Sequence, residues 1–253
     1  MKFFDKKKIQ DIVFLGFSLA RANFKLRTEG KFLGVLWYLL DPLLMFLILF
    51  FVFRKNLGST IEYFPLYLIW GLIIFNFFSF ATTQAVKAVS GNGPFIKSMK
   101  ITSESLVLAV LLQTAFSHFF ELLIFALFLI TFKIFALSMV FYLPVFLLFF
   151  IFILGTSFIL ATLGVYITDL SNVWAIISRI LFFATPIFYI VPNKILFLAN
   201  PLVVFLEISR NLVIYHHFPE PIFIFLAFIY AIIAFVVGLF LFEKFKTKFA
   251  ENI

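Results

Sequence analysis

Six long apolar segments dominate this 253-residue sequence. A hydrocarbon core about 30 Å thick requires roughly 20 apolar helical residues for each crossing. Only 13% of the residues are charged, about half the share of a soluble domain. The chain is therefore predicted to be an all-α integral membrane protein with six transmembrane helices, at residues 33–53, 63–85, 106–132, 141–167, 173–191 and 222–242.

The stretch between the last two segments is apolar but interrupted. Asn200-Pro201, Glu207 and Arg210 divide it into pieces too short to cross a bilayer. Backbone that is not helical must be sheltered by protein or face water at membrane depth. We therefore predict a re-entrant hairpin of two short helices over residues 192–220.

Residues 1–32 are basic and amphipathic. At 100° per residue, Ile9, Val13 and Phe17 share one side of a helix, and Arg21 and Lys25 share the other. This pattern is typical of a helix that lies along the membrane surface. The alternative is a signal peptide with an Ala-Arg-Ala cleavage site. The short apolar core and the basic residues after it favour the interface helix.

The distribution of Lys and Arg predicts the orientation. With both termini in the cytoplasm, fourteen of the 20 basic residues lie on the inner side. Arg179 lies within the fifth segment, and the outer side holds Arg54, Lys55, Lys133, Lys194 and Arg210. Short cytoplasmic loops carry an excess of Lys and Arg, so this orientation is preferred. The hairpin is then on the outer side.

Signatures of enzymes and nucleotide-binding proteins are missing from the sequence. Gly30-Lys31 is followed by Phe32, so it does not complete the phosphate-binding loop of an ATPase. The three histidines lack zinc-protease spacing, and no Gly-x-Ser-x-Gly elbow occurs. The chain has no cysteine, which excludes disulfides and thiolate catalysis. The formal charge of +8 does not indicate nucleic-acid binding, because the basic residues flank apolar segments. We predict no cofactor or metal on this chain.

Ionisable residues inside the segments are costly and need a partner or a function. His118 and Glu121 stand three residues apart, which favours a buried pair packed against another helix over a polar stripe along a translocation path. Asp41-Pro42 in the first segment indicates either a kink that lines a cavity or a bend made for packing. In both cases we expect a basic or polar partner for the Asp41 carboxylate.

Three stretches of the sequence together resemble the permease subunit of type 2 ABC exporters. They are EGKFLGVLWYLLDPLL, ITDLSNVWAIISRILFFATPIFYIVP and ANPLVVFLEISRNLVIY. Among these exporters the chain is most similar to those that carry O-antigen and teichoic-acid polysaccharides. The marker positions are Leu33-Gly34, Trp37, Pro42, Asp169, Pro186, Tyr189, Asn200-Pro201 and Arg210. The family usually has Arg-Asp after its fourth span, whereas this chain has Thr168-Asp169.

The resemblance implies a single transmembrane domain over residues 1–253, in the inner membrane of a bacterium. It implies a homodimer joined to two copies of a separate ATPase subunit, which binds ATP and Mg²⁺. The cargo would be a lipid-linked polysaccharide. Residues 192–220 would form an outer gate, with the candidate residues Asn200, Pro201, Glu207 and Arg210.

The inner loop at residues 88–105 is the predicted contact with the ATPase. A Gly-Asn-Gly-Pro break precedes a short segment in which Pro94 fits the first turn of a helix. The loop also contains the apolar pair Phe95-Ile96, which favours contact with a partner surface over a loop that is fully solvated. By resemblance this segment is the coupling helix, with Pro94, Phe95, Ile96, Lys97 and Lys100 as candidates.

Aromatic side chains offer flat surfaces to the C–H faces of sugars. The candidates for a polysaccharide path on the first and fifth spans are Tyr38, Asp41, Phe46, Phe182, Phe183, Phe188 and Tyr189. The chain has 43 Phe residues, so each one alone is weak support for a site. A lipid diphosphate headgroup at the inner leaflet would meet Lys25, Arg27 and Lys31, which would equally attract ordinary anionic lipid.

Three alternatives to this interpretation remain open. An exporter of another lipid, a drug or a capsular glycan would share the same layout. A channel or secondary transporter would need no ATPase, but the repeated halves common in such proteins are not detected. A membrane glycosyl- or phosphotransferase would need convergent carboxylates, whereas Asp41, Glu121 and Asp169 are predicted at different depths.

Overall fold

The computed structural model describes residues 6–29, 37–58, 60–98, 101–190 and 200–253. Within these ranges the chain forms helices and short connections, and it contains no strand. The helices are α1 (Lys6–Thr28), α2 (Trp37–Leu57), α3 (Phe64–Val86), α4 (Gly93–Ser98), α5 (Ser103–Thr131), α6 (Tyr142–Tyr166), α7 (Leu170–Ala184), α8 (Pro201–Val213), α9 (Pro221–Phe245) and α10 (Phe249–Asn252). Short 3₁₀ turns occupy Ser90–Asn92, Ala136–Phe141 and Lys246–Lys248. The prediction of an all-helical chain is confirmed.

Among the residues that the structure describes, four helical stretches are long and apolar enough to cross a membrane. They are Phe64–Val86, Ser103–Thr131, Leu137–Tyr166 and Pro221–Asn252, and they match the second, third, fourth and sixth predicted segments. Helix α2 occupies most of the first segment. Helix α7 is a shorter apolar helix of 15 residues in the fifth. The count of six spans therefore stays a prediction.

Helix α7 ends at Ala184, well before residue 191, where the fifth predicted segment ends. Pro186 explains the difference, because its ring disfavours helical geometry at the residue before it. Thr185 accordingly adopts an extended backbone with φ −100° and ψ 132°. Residues 185–190 continue as an irregular segment, called here the α7 break.

Helix α3 is the centre of the bundle. Most of its residues are buried, as expected of a helix that is apolar around most of its circumference. Trp70 is fully buried, with its ring centroid 4.4 Å from that of Phe125 on α5 and 4.9 Å from that of Tyr142 on α6. Its indole Nε1 donates to Ser209 Oγ on α8 at 2.9 Å. One residue thus joins α3 to three neighbouring helices.

Helix α1 is helical where the periodicity predicts and packs along α5, and its place at the membrane surface stays a prediction. Gly16 and Ala20 are buried, and a β-carbon placed on Gly16 would lie 3.1 Å from Leu108 Cδ2. Phe17 and Phe24 pack against Phe116. The middle of the apolar side thus faces α5, and its flank, with Val13 half exposed, remains open.

A partly buried ion pair joins the start of α5 to the end of α9. Lys246 Nζ lies 2.9 Å from Glu104 Oε1 and also pairs with Glu243. Glu104 is 7% exposed, so its carboxylate depends on partners within the protein.

We expect Lys246→Met to destabilise the folded protein by about 1–3 kcal/mol at neutral pH, because the buried Glu104 loses a charged hydrogen-bond partner. The midpoint of thermal unfolding in detergent measures the effect. Lys248→Met removes an exposed lysine two residues away and serves as the control. Equal unfolding midpoints for the two variants would contradict this account of the pair.

Candidate translocation site

An open groove of about 400 Å³ lies between α2, α3 and α7. Two of the predicted channel residues, Phe182 and Phe183, form part of its wall. Both are accessible, with Phe183 65% exposed. The other lining residues are Met45, Phe75, Ser79, Thr83, Ala175, Ser178 and Arg179. The groove therefore combines aromatic walls with hydroxyl groups and one guanidinium.

The other predicted channel residues are placed differently. Phe46 is buried, with its ring in edge contact with Phe128 on α5 at 5.4 Å, so it faces the protein core and not the groove. Phe188 stacks on Phe53 at 4.7 Å. The Tyr189 hydroxyl donates to the Phe183 carbonyl at 2.8 Å. Tyr38 belongs to α2, and its side chain lies outside the described part.

Asp41 is exposed on α2, contrary to the expectation of a paired carboxylate. Within the described ranges, no hydrogen bond or ion pair to Asp41 is present. It interacts electrostatically with Glu121 on α5, a group of the same sign. The described residues therefore do not support the expectation that the Asp41 carboxylate has a basic or polar partner.

The predicted gate residue Asn200 connects the α7 break to α8. Its Oδ1 accepts from the Leu202 amide at 3.0 Å and caps α8, while Pro201 occupies the first turn. Its Nδ2 donates to Thr185 Oγ1 at 3.0 Å. The start of α8 and the end of α7 are thereby joined through one amide.

Arg210 is the central contact of the α7 break, although it is only 1% exposed. One guanidinium nitrogen donates to the Pro186 carbonyl at 2.7 Å. The other donates to the carbonyls of Ile187 and Tyr67, each at 3.0 Å. The guanidinium carbon also lies 3.3 Å from the centroid of the Tyr67 ring. We call this arrangement the Arg210 clamp.

Tyr67 and Gly71 on α3 complete the clamp. The single proton of the Tyr67 hydroxyl is donated to the Tyr189 carbonyl at 2.7 Å, and the Pro186 carbonyl lies 3.2 Å from the same oxygen. A β-carbon on Gly71 would lie 2.7 Å from the Arg210 guanidinium, so a larger residue would displace it. Three hydrogen bonds from Arg210 and one from Tyr67 thus satisfy backbone carbonyls, and three of these four bonds go to the α7 break. Buried carbonyls without partners would be costly at this place.

Glu207, the remaining predicted gate residue, is partly buried on α8. Its Oε1 accepts from Asn211 Nδ2 at 3.4 Å. Asn200 and Arg210 thus both bind the α7 break, at Thr185 and at Pro186–Ile187, while Pro201 and Glu207 lie on the same helix α8. The first half of the predicted hairpin, at residues 192–199, lies outside the described residues.

The predicted coupling segment forms the short helix α4. Pro94, Phe95 and Lys97 are exposed, with Phe95 at 49%. Ile96 instead packs against the cluster that contains Phe249. Lys97 Nζ donates to the backbone carbonyl of Ile253 at 2.5 Å. Helix α4 therefore contacts the segment that contains Phe249 and Ile253. Lys100 lies outside the described part.

The three predicted headgroup residues are only partly described. Lys25 is exposed and lies 3.5 Å from Glu29 across one helical turn. Arg27 belongs to α1, but its side chain is not among those described, and Lys31 precedes the described part of α2. A binding role for these residues stays a prediction.

His118 and Glu121 form the buried pair that their spacing predicts. His118 Nδ1 lies 3.2 Å from Glu121 Oε2, and its Nε2 lies 3.1 Å from the Tyr142 hydroxyl on α6. Phe77 and Phe146 stack on the imidazole. The interpretation as a structural pair packed against neighbouring helices is confirmed.

Several residues that shape the site were not predicted from the sequence. Tyr67 and Gly71 hold the clamp from α3, and Ser79, Thr83 and Ser178 bring hydroxyls to the groove. The isolated tyrosine and glycine in a strongly apolar segment were the available signals. The groove hydroxyls had no distinguishing pattern.

The described helices, four of them of membrane-spanning length, define a multi-pass membrane protein. The sequence pattern of the ABC-2 type transporter family matches residues 15–214. The chain belongs to this family, whose permeases are transport components.

Similar proteins include O-antigen export system permease protein RfbA of Klebsiella pneumoniae, 26% identical over 240 residues, with 92% of both chains covered. A second Klebsiella pneumoniae protein of the same name is 25% identical over 244 residues, again covering 92% of each. RfbA of Myxococcus xanthus is 24% identical over 246 residues, covering 93% of this chain and 94% of its own length.

Proposed function

We propose that this chain is the permease subunit of an ATP-driven exporter that moves O-antigen-type polysaccharide, linked to a lipid, across the bacterial inner membrane. The observation that carries the proposal is the similarity to O-antigen permeases over more than nine-tenths of the chain. Family membership over residues 15–214 supports the same conclusion. Both termini would lie in the cytoplasm, because most Lys and Arg residues are then on the inner side.

The proposed transporter is a homodimer with two copies of a separate ATPase subunit. Each permease would contribute six spans, with α1 along the inner surface and a re-entrant hairpin that includes α8 on the outer side. The exposed apolar residues of α7, including Ile176, Ile180 and Phe183, are consistent with a face that meets lipid or the second copy. The α2–α3–α7 groove would line the path of the cargo.

Helix α4 would carry the force from the ATPase. Its exposed Phe95 offers the apolar contact, and the packing of Ile96 against Phe249 would transmit movement to the end of α9. ATP hydrolysis on the partner would thereby open the inner entrance and the outer gate in turn.

We expect Phe95→Ser to weaken binding of the ATPase subunit roughly tenfold, as for loss of an aromatic anchor at an interface. Co-purification with a tagged ATPase measures the interaction. Phe135→Ser removes an exposed Phe from the α5–α6 connection, on the proposed outer side, and is the matched control. Retention of the ATPase by Phe95→Ser at the level of the control would contradict the coupling role of α4.

A deletion strain tests the proposed function as a whole. We expect loss of O-antigen from the cell surface and accumulation of lipid-linked polysaccharide at the inner membrane, both restored by the intact gene. Normal surface O-antigen in the deletion strain, together with loss of another exported molecule, would contradict the proposed cargo.

A further inference from the structure

Arg179 is a cation on the apolar helix α7, which belongs to the proposed fifth span. It lies ten residues after the N-cap residue Asp169, which corresponds to roughly 15 Å along the helix. Its side chain is exposed and lines the α2–α3–α7 groove. Within the described ranges, no carboxylate forms an ion pair with it. A cation within a membrane span requires an anionic or polar partner.

The groove also presents hydroxyl groups beside this cation. Ser178 is 7% exposed, and its Oγ has no hydrogen-bond partner among the described residues. Ser79 and Thr83 on α3 line the same groove, one helical turn apart. A buried hydroxyl without a partner is rare, and it indicates a ligand or a solvent molecule at that place.

The groove walls are otherwise apolar. Phe75 and Phe182 meet edge to face at 5.2 Å, and Phe183 meets Phe182 in the same way at 5.3 Å. Met45 closes the side formed by α2. The site thus offers one guanidinium and several hydroxyls within a hydrophobic wall, which suits an anionic group attached to an apolar chain.

We propose that this groove binds the phosphate ester of a lipid, with Arg179 paired to the phosphate oxygens and Ser178 donating a hydrogen bond. A guanidinium matches phosphate geometry through two parallel N–H donors, and the hydroxyls supply the remaining donors. The proposal rests on the proposed function, since it places the headgroup of the exported lipid deep in the path.

The shared chemistry is a phosphate carried by a lipid, which two sources could supply. One is the isoprenoid lipid that carries the polysaccharide, and the other is an ordinary anionic phospholipid. Binding of long-chain polyprenyl monophosphate, phosphatidylglycerol and inorganic phosphate to the purified full-length chain in detergent distinguishes them. Tighter binding of the polyprenyl lipid identifies the carrier, and equal binding of both lipids identifies a general phospholipid site.

We expect Arg179→Gln to weaken lipid phosphate binding roughly tenfold, and Ser178→Ala to weaken it about threefold. Lys244→Gln removes an exposed lysine of α9 that does not line the groove, and it should bind as the wild type does. Native mass spectrometry of the lipid-bound protein gives the affinities, and the thermal unfolding midpoint confirms that each variant is folded.

Unchanged lipid binding by Arg179→Gln would overturn the proposal. The proposal would also be overturned if Arg179→Gln lost dimerisation and kept lipid binding. Arg179 would then pair with a carboxylate of the second copy and not with a lipid phosphate. If the wild-type gene restores surface O-antigen while Arg179→Gln binds lipid normally, the groove proposal fails and the proposed function stands. If deletion of the gene and its restoration both leave the amount of surface O-antigen unchanged, the proposed function fails.

Discussion

Replacing Arg210 by methionine is expected to cause a large loss of folded protein and of export. The substitution removes the three hydrogen bonds that Arg210 donates to the carbonyls of Tyr67, Pro186 and Ile187. Hydrogen bonds that involve a charged group contribute about 1.5–3 kcal/mol each, so the total is on the order of several kcal/mol. Loss of the cation above the Tyr67 ring adds to it. The unfolding midpoint in detergent and the amount of surface O-antigen measure the two effects.

We expect the loss of stability and of export to depend on the geometry of the guanidinium and not on its charge alone. Arg210→Lys keeps a cation but cannot reach three carbonyls in the same fork, so we expect only partial recovery. Arg21→Gln removes an exposed arginine from α1 and should leave both measurements unchanged. Wild-type stability in Arg210→Met would show that the α7 break does not depend on the clamp.

Replacing Gly155 by alanine is the second change with a large expected effect. Alanine favours a helix by about 1 kcal/mol over glycine, which alone would stabilise α6. Here the new β-carbon would overlap the backbone of Ala234 and Phe235 on α9, and the two helices would have to separate. Overpacking of this kind costs typically about 1–3 kcal/mol, and more where the obstacle is backbone. We therefore expect net destabilisation, seen as a lower unfolding midpoint and lower abundance in the membrane.

The same change at an open position provides the control. A β-carbon on Gly91 meets no atom closer than 3.8 Å, so Gly91→Ala should be neutral. Gly238→Ala should resemble Gly155→Ala, because its β-carbon would strike the Gly155 backbone. A stable Gly155→Ala protein would show that α6 and α9 do not meet through these glycines.

The helical fold could be predicted because length and hydrophobicity are local properties. In the second, third, fourth and sixth segments proline occurs only within the first turn of the α-helix, and each segment appears as a continuous helix. The fifth was assigned too far along the chain, since its apolar residues continue past Pro186 while the helix does not. The rule for the residue before proline gives the correct end, so this signal was present in the sequence.

The candidate site was less predictable because its contacts join residues distant in sequence. Arg210 binds backbone carbonyls more than 20 and more than 140 residues away, and carbonyls have no sequence signature. Among 43 Phe residues, composition cannot separate Phe46, which is buried, from Phe183, which lines the groove. The His118–Glu121 pair could be predicted because its spacing is local, whereas its Tyr142 partner could not.

Transport by purified protein in liposomes tests the central claim most directly. The permease and its ATPase partner, reconstituted together with lipid-linked O-antigen on one side, should move the polysaccharide across the bilayer when ATP is added. The permease alone, or the complex with an ATPase that cannot hydrolyse ATP, should move none against a gradient. Uphill movement by the permease alone would contradict the account.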